Sequence, residues 1–242
     1  MKPKRREKIK WSSDFAYVVG LITADGNLSV DGRHITLVSK DIQLLKVFKK
    51  ILKLHNKIAT KKSGYTGKRD SHYVQFSDVV LYKWLLKIGL VPNKTKHLEK
   101  LRIPKKYFLD FVRGYFDGDG SCYSYWDQRW HSSFMFYTKF CSVNKKYLVW
   151  LRSTLKELLN INGNLSRTKG RSTYQLRYAK EESKTLFSKM YYRKNVPCLQ
   201  RKYKKLRSIL TIDQLESEKE QRIKISPGGG IGRLASLRRM WL

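Results

Sequence analysis

The chain has 242 residues, 41% hydrophobic and 13% aromatic, which is enough apolar surface for a core and excludes a wholly disordered chain. Lys and Arg number 52 against 19 Asp and Glu, and a formal charge of +33 repels itself unless a polyanion neutralises it. Nucleic acid is the expected partner, with an anionic membrane surface as the rival. No apolar stretch of about 18 residues predicts a transmembrane helix, and the basic first ten residues are not followed by the apolar run of a secretory signal. Three cysteines (Cys122, Cys141, Cys198) without a C-x-x-C argue against a disulfide framework or a zinc site, and for a reducing, intracellular compartment.

In chain order, residues 1–11 form a basic arm and residues 12–90 a first half. A helix over 15–25 ends at Asp25-Gly26. Leu28 and Val30 alternate with Asn27 and Ser29, Asp31-Gly32 signals a two-residue turn, and Ile35 and Leu37 alternate with His34 and Thr36, which predicts a hairpin. Leu45, Phe48 and Leu52 form a helical stripe. A second, basic hairpin spans 57–63 and 71–77, and a helix near 79–88 closes the half. Residues 91–107 read as a linker. Residues 108–210 repeat the order: a helix over 109–119, a longer hairpin, a stripe of Leu148, Leu151 and Leu155, strands at 165–169 and 173–178, and a helix near 182–192. From 211 to 242 the periodic pattern is lost, and that stretch reads as a mobile tail.

The halves are internal copies. Gly20, Asp25 and Gly26 of FAYVVGLITADG fall on Gly114, Asp119 and Gly120 of LDFVRGYFDGDG. Ser39-Lys40-Asp41 falls on Ser142-Val143-Asn144, and Val91-Pro92 on Val196-Pro197. The order αββαββα, twice, predicts an α+β fold of two pseudo-symmetric halves, each a four-stranded antiparallel sheet with helices on one face.

Gly20 and Ala24, and Gly114 and Gly118, are small residues four apart, a spacing that lets two helices approach closely. Packed side by side, these helices bring Asp25 and Asp119 together at two negative helix ends. Such a place holds a proton or a cation, and Mg²⁺ suits carboxylate oxygens. One D-G alone reads as a helix C-cap with a left-handed glycine; two copies in a duplicated basic chain point to metal-dependent phosphodiester hydrolysis.

GLITADG and GYFDGDG resemble the two motifs of the LAGLIDADG homing endonucleases in their single-chain form, over roughly residues 12–210. The resemblance implies an intron-encoded monomer that makes a double-strand break in a long, rare DNA site. Mg²⁺ or Mn²⁺ supports the reaction, with Ca²⁺ a non-cleaving substitute. It implies a saddle of two sheets on the DNA, with the motif helices as the central seam. Asp25 and Asp119 fall on the metal-binding acids, with Ala24 and Gly118 beside them at the metal. Thr23 and Asp117 hold a variable position to which no metal is assigned. Lys94 and Lys202 match basic active-site positions, and Lys40 a water-ordering position that Val143 leaves one-sided. In so basic a chain, each lysine also reads as a phosphate contact or a solvated charge.

Strand alternation supplies the recognition face. Asn27, Ser29, His34 and Thr36 face away from the helices in the first half. With Phe134, Phe136 and Phe140 toward the core, Ser121, Tyr123, Tyr125, Met135, Tyr137 and Lys139 face away in the second. A two-stranded ribbon of this kind fits the major groove. Lys61, Lys62, Lys68 and Arg69, with Arg167, Lys169, Arg171, Gln175 and Arg177, add charge farther out, much of it for phosphates.

The rival on the same scaffold is an intron maturase that binds RNA; it tolerates loss of the acids, and both acids are present. A membrane-surface protein would need a basic amphipathic helix, and the helices here bury Leu and Phe. The five histidines form no metal-ligand cluster. The expected setting is intracellular and DNA-associated, in a bacterial cytoplasm or an organelle.

Overall fold

Each half is built on an antiparallel sheet whose apolar face is covered by helices. A computed structural model describes residues 9–62, 67, 70–129 and 133–225, with the backbone alone at Lys96, Glu220 and 222–225. Lys68, Arg69, Trp130 and His131 lie outside the described residues, as do the arm up to residue 8 and the chain beyond 225.

The first half runs α1 (Ser13–Asp25), β1 (Gly26–Leu28), β2 (His34–Ser39), α2 (Ile42–Leu52), β3 (Ala59–Lys61), β4 (Ser71–Ser77) and α3 (Val79–Lys87). A short α4 (Lys94–His97) and a 3₁₀ turn lead to the second half. This comprises α5 (Phe108–Asp119), β5 (Ser121–Trp126), β6 (Phe134–Ser142), α6 (Lys145–Leu159), β7 (Asn164–Arg167), β8 (Tyr174–Tyr178) and α7 (Lys180–Met190). The chain continues into α8 (Gln200–Ile225). The sheet orders β1-β2-β4-β3 and β5-β6-β8-β7 are the same in both halves. The repeat extends to the turns. The hydroxyl of Ser39 accepts from the Asp41 amide and that of Ser142 from the Asn144 amide, at 3.0 and 3.1 Å. Left-handed Lys53 and Asn160 end α2 and α6.

The core lies between sheets and helices and is continuous across the seam. Ile35, Leu37, Val74 and Phe76 of the first sheet, and Phe134, Phe136, Phe140 and Leu176 of the second, are buried under the helices. Burying a side chain of this size is worth about 1.5–3 kcal/mol. The seam itself is α1 against α5. A Cβ on Gly20 would stand 2.2 Å from the Phe111 carbonyl oxygen, and one on Gly114 2.0 Å from that of Tyr17. Both obstacles are backbone, so neither helix can yield locally. Gly114→Ala is therefore expected to cost at least about 3 kcal/mol or to prevent folding. Urea unfolding checks this, and a loss under about 1 kcal/mol would mean that the helices do not approach so closely.

Three expectations are corrected. Val30 is not in the core but 83% exposed, because β1 stops at Leu28. The chain then closes through the Ser29 amide on the His34 carbonyl, around a loop longer than two residues. Of the strand expected over 57–63, residues 57–62 form only Ala59–Lys61, and residue 63 lies outside the described residues. Helix also continues past residue 210. Leu206 and Ile209 bury against the second half, and Asp213 ties α8 to Lys180 and Lys184 of α7. Beyond that, Lys219–Glu216 and Gln214–Glu218 pairs carry the helix without an apolar period to betray it. Among the described residues no helix is long and apolar enough to cross a membrane.

Candidate active site at the helix seam

Asp25 and Asp119 are the last residues of α1 and α5, and close packing of these helices brings the two acids together. A Cβ on Gly118 of α5 would lie 3.1 Å from Asp25 Oδ2 and 2.3 Å from the Ala24 Cβ, so Asp25 reaches across the seam. The glycines that follow are not left-handed caps. Gly26 and Gly120 have φ of −82° and −73°, with ψ near 159° and 155°. Glycine is needed there for space: a Cβ would meet Ile22 at 2.6 Å or Phe116 at 2.3 Å.

The electrostatics are those of two acids sharing one place. Burial first, and Asp119 second, push Asp25 up to about 7, against the pull of Lys202 and Lys94. Burial likewise raises Asp119 above the usual carboxylate range. Burial pushes the ammonium groups of Lys94 and Lys202 below the usual lysine range, although both acids oppose this. Lys94 Nζ donates to the Ala24 carbonyl at 2.9 Å. Lys202 Nζ donates to the carbonyls of Phe116, Gly118 and Gly120 at 2.7, 3.0 and 2.6 Å. The lysines thus neutralise the exposed carbonyl ends of the motif helices.

The oxygens fit a hard divalent cation. No described residue donates a hydrogen bond to either carboxylate, and a cation would relieve the repulsion that raises Asp25. The Ala24 and Gly118 carbonyls each keep a second lone pair beside the lysine they already accept from. Among the described residues no three His, Cys, Asp or Glu side chains gather as a ligand set, so the protein's share of such a site would be two carboxylates and these carbonyls.

Of the residues singled out in the sequence, Asp25, Asp119, Lys94, Lys202, Ala24 and Gly118 converge. Lys40 does not. It stands on the bend between β2 and α2, where Asp70 holds its ammonium at 2.6 Å, and it is not among the charges acting on either acid. Sequence reasoning missed Arg201, whose guanidinium grips Asp41 at 2.9 and 2.7 Å. Asp117, named in the sequence only as a variable motif position without a metal, is buried, and its burial raises it to about 6. Nothing in the local pattern signals partners so far apart in the chain.

Register places the candidate recognition residues. Asn27 pairs with Thr36 and lies on the face away from the helices, with Gln75 beyond it. Ser29 and His34 continue this face at the strand ends. Lys61 pairs with Ser71 on the same face, and exposed Lys62 follows it. In the second half Ser121 pairs with Lys139, Tyr123 with Tyr137, and Tyr125 with Met135. Tyr137 stacks on Tyr123 and Tyr125, at centroid distances of 5.4 and 6.2 Å, while Arg177 lies 5.2 Å over its ring. Gln175 shares this face and holds Ser166, its register partner. Arg167 does not share it: pairing with Tyr174 turns it to the helix side, because β7 alternates from Leu165. Lys169 sits in the exposed turn between β7 and β8.

No family model matches the sequence, and no curated protein matches it. The fold does have close parallels among solved structures. Meganuclease I-SmaMI, bound to uncleaveable DNA, is 15% identical with a TM-score of 0.60, over 88% of this chain and 92% of its own. The LAGLIDADG meganuclease I-AabMI, bound to uncleaved DNA, is 15% identical at 0.57, over 93% and 96%. Full-length DUF199/WhiA from Thermatoga maritima is 16% identical at 0.55, over 96% of this chain and 68% of its own. The duplicated αββαββα halves, joined through two glycine-lined helices that end in Asp25 and Asp119, are the LAGLIDADG fold in its single-chain, two-motif form.

Proposed function

We propose that this protein is a site-specific homing endonuclease that makes a double-strand break in a long, asymmetric DNA target by divalent-metal-dependent hydrolysis. One observation carries the reading: two carboxylates without hydrogen-bond donors meet between two lysines, at the junction of two sheets with polar and basic outer faces. DNA-bound meganucleases of the same fold support the choice of duplex as partner.

Asp25 and Asp119 would hold Mg²⁺ or Mn²⁺, with the Ala24 and Gly118 carbonyls beside them. Bound there, the metal would supply an activated water and neutralise charge growing on the phosphate. Lys94 and Lys202 hold positive charge at the same place without leaving their carbonyl partners, which suits stabilisation of a pentavalent phosphate. The sheets bind through charge and read bases through the side chains of their outer faces. Both halves lie in one chain, so the reading needs no second copy.

Incubating the protein with a randomised duplex library in Mg²⁺ tests the activity. Discrete cut products are expected in Mg²⁺ and binding without cutting in Ca²⁺; RNA binding without any DNA cleavage would favour a maturase. On the selected site, log K is expected to fall by roughly 0.9 per log salt for each phosphate contact. A slope shallower than about −4 would argue against a long duplex footprint. Lys94→Met and Lys202→Met are expected to slow cleavage more than they weaken binding. If both only weaken binding, they are phosphate contacts.

A further inference from the structure

Asp117 lies in the second motif at the position that Thr23 occupies in the first. The two side chains act differently. Thr23 Oγ1 turns back and donates to the Val19 carbonyl of its own helix at 2.8 Å. Asp117 is buried and looks outward from α5, and its Oδ2 accepts two hydrogen bonds from elsewhere in the chain. One comes from the Tyr17 hydroxyl of α1 at 2.8 Å. The other comes from the Leu199 amide at 2.7 Å, immediately before α8 begins. Its Oδ1 has no hydrogen-bond partner among the described residues.

This one carboxylate therefore joins three helices: the Asp119 helix that bears it, the Asp25 helix through Tyr17, and the Lys202 helix through Leu199. Lys202 lies within the first turn of α8, so a fixed Leu199 amide fixes the origin of the Lys202 side chain. From there its ammonium reaches the Phe116, Gly118 and Gly120 carbonyls and lies 5.2 Å over the Phe116 ring. Three further contacts hold the same end of α8 against the first half: Arg201 on Asp41, the Gln200 amide on Gln43 at 3.0 Å, and Gln43 Nε2 on the Cys198 carbonyl at 3.3 Å. Lys94 has a slighter setting. It starts a four-residue helix after left-handed Asn93 and reaches a single carbonyl.

We propose that Asp117 is a positioning residue, which clamps the start of α8 through the Leu199 amide and so sets the Lys202 ammonium against the carbonyl end of α5, leaving Lys94 unaffected. The proposal rests on the nuclease reading for its consequence, a defect on one DNA strand, but not for the clamp itself. A charged group misplaced by about 1 Å loses up to 100-fold of its catalytic effect. Asp117→Ala is therefore expected to slow the strand that fails in Lys202→Met by roughly 10–100-fold, so that nicked DNA accumulates. Asp117→Asn keeps an acceptor oxygen for Leu199 and should cut both strands nearly as the unaltered protein does.

Two measurements test this. In the first, the DNA-free protein is treated with acetic anhydride and lysine acetylation is read by mass spectrometry. Lys202 should be protected, should label severalfold faster in Asp117→Ala, and should stay protected in Asp117→Asn, with Lys94 the same in all three. In the second, strand-resolved cleavage is followed for Asp117→Ala, Lys202→Met and the double variant. Once Lys202 is gone the clamp has nothing to position, so the double variant should be no slower than Lys202→Met. If Asp117→Ala does not fold, Asp117→Thr, the first-half residue at this position, takes its place. Unchanged Lys202 labelling in the alanine or threonine variant would overturn the clamp. Equal slowing of both strands, or rates that multiply in the double variant, would overturn its positioning role. A chain that cuts no DNA would overturn the nuclease reading, while the labelling would still decide the clamp.

Discussion

Asp25→Asn and Asp119→Asn are each expected to lower the cleavage rate by at least about 10³-fold, with DNA affinity in Ca²⁺ changed by less than about tenfold. The change is nearly isosteric, so the seam should keep its packing around Gly20, Gly114 and Gly118. It removes one of the two negative charges whose repulsion, together with burial, holds Asp25 up at about 7. A neutral amide cannot offset a dication, and it leaves one carboxylate to carry a site that serves both strands. On the proposed reading, binding resides elsewhere, on strand faces that run out from Asn27 and Ser121. Gel shift in Ca²⁺ and a plasmid-cutting assay in Mg²⁺ separate the two properties. Substantial cutting by either variant would sink the assignment of a shared metal site.

The second large effect is an unequal DNA footprint. Asp25 to Ser39 and Asp119 to Ser142 are equivalent stretches, and the second is nine residues longer. Part of the excess is strand: β5 and β6 have 6 and 9 residues, where β1 and β2 have 3 and 6. Three more residues per strand, at about 3.3 Å each, lengthen the ribbon by roughly 10 Å, or about three base pairs. The added part carries Tyr125 on the outer face of the sheet, stacked on Tyr137, with Tyr123 and Arg177 completing the cluster. Trp126 belongs to the other face, where it packs on Phe134 at 5.1 Å. The half-site under residues 121–141 should therefore extend farther from the cleavage centre than its counterpart. Arg177→Ala or Tyr125→Ala should weaken binding by about tenfold and flatten base preference at the outer positions of that half-site alone. Footprinting on single-base variants of the target decides it; half-sites of equal length, or a loss spread evenly over both, would refute it.

Much of this protein follows from local pattern. Duplication, the αββαββα order, the glycine-lined helices and the meeting of Asp25 with Asp119 come from periodicity and from what two equivalent motifs must do when packed together. The outer face of the longer hairpin, from Ser121 to Lys139, was equally legible, because period-two alternation over long strands fixes a face. Lys94 and Lys202 were legible only through the family resemblance, counted on from the two Val-Pro pairs. Short strands carry too few alternations to do this: β1 ends before Val30, and β7 sends Arg167 to the helix side. Charged helices hide their period, so α8 past residue 210 had no apolar signal. The capture of Lys40 by Asp70, the grip of Arg201 on Asp41 and the clamp of Asp117 on Leu199 were decided by tertiary structure alone. These contacts join groups 30 to 160 residues apart in the chain, and only the completed fold brings them within reach of one another.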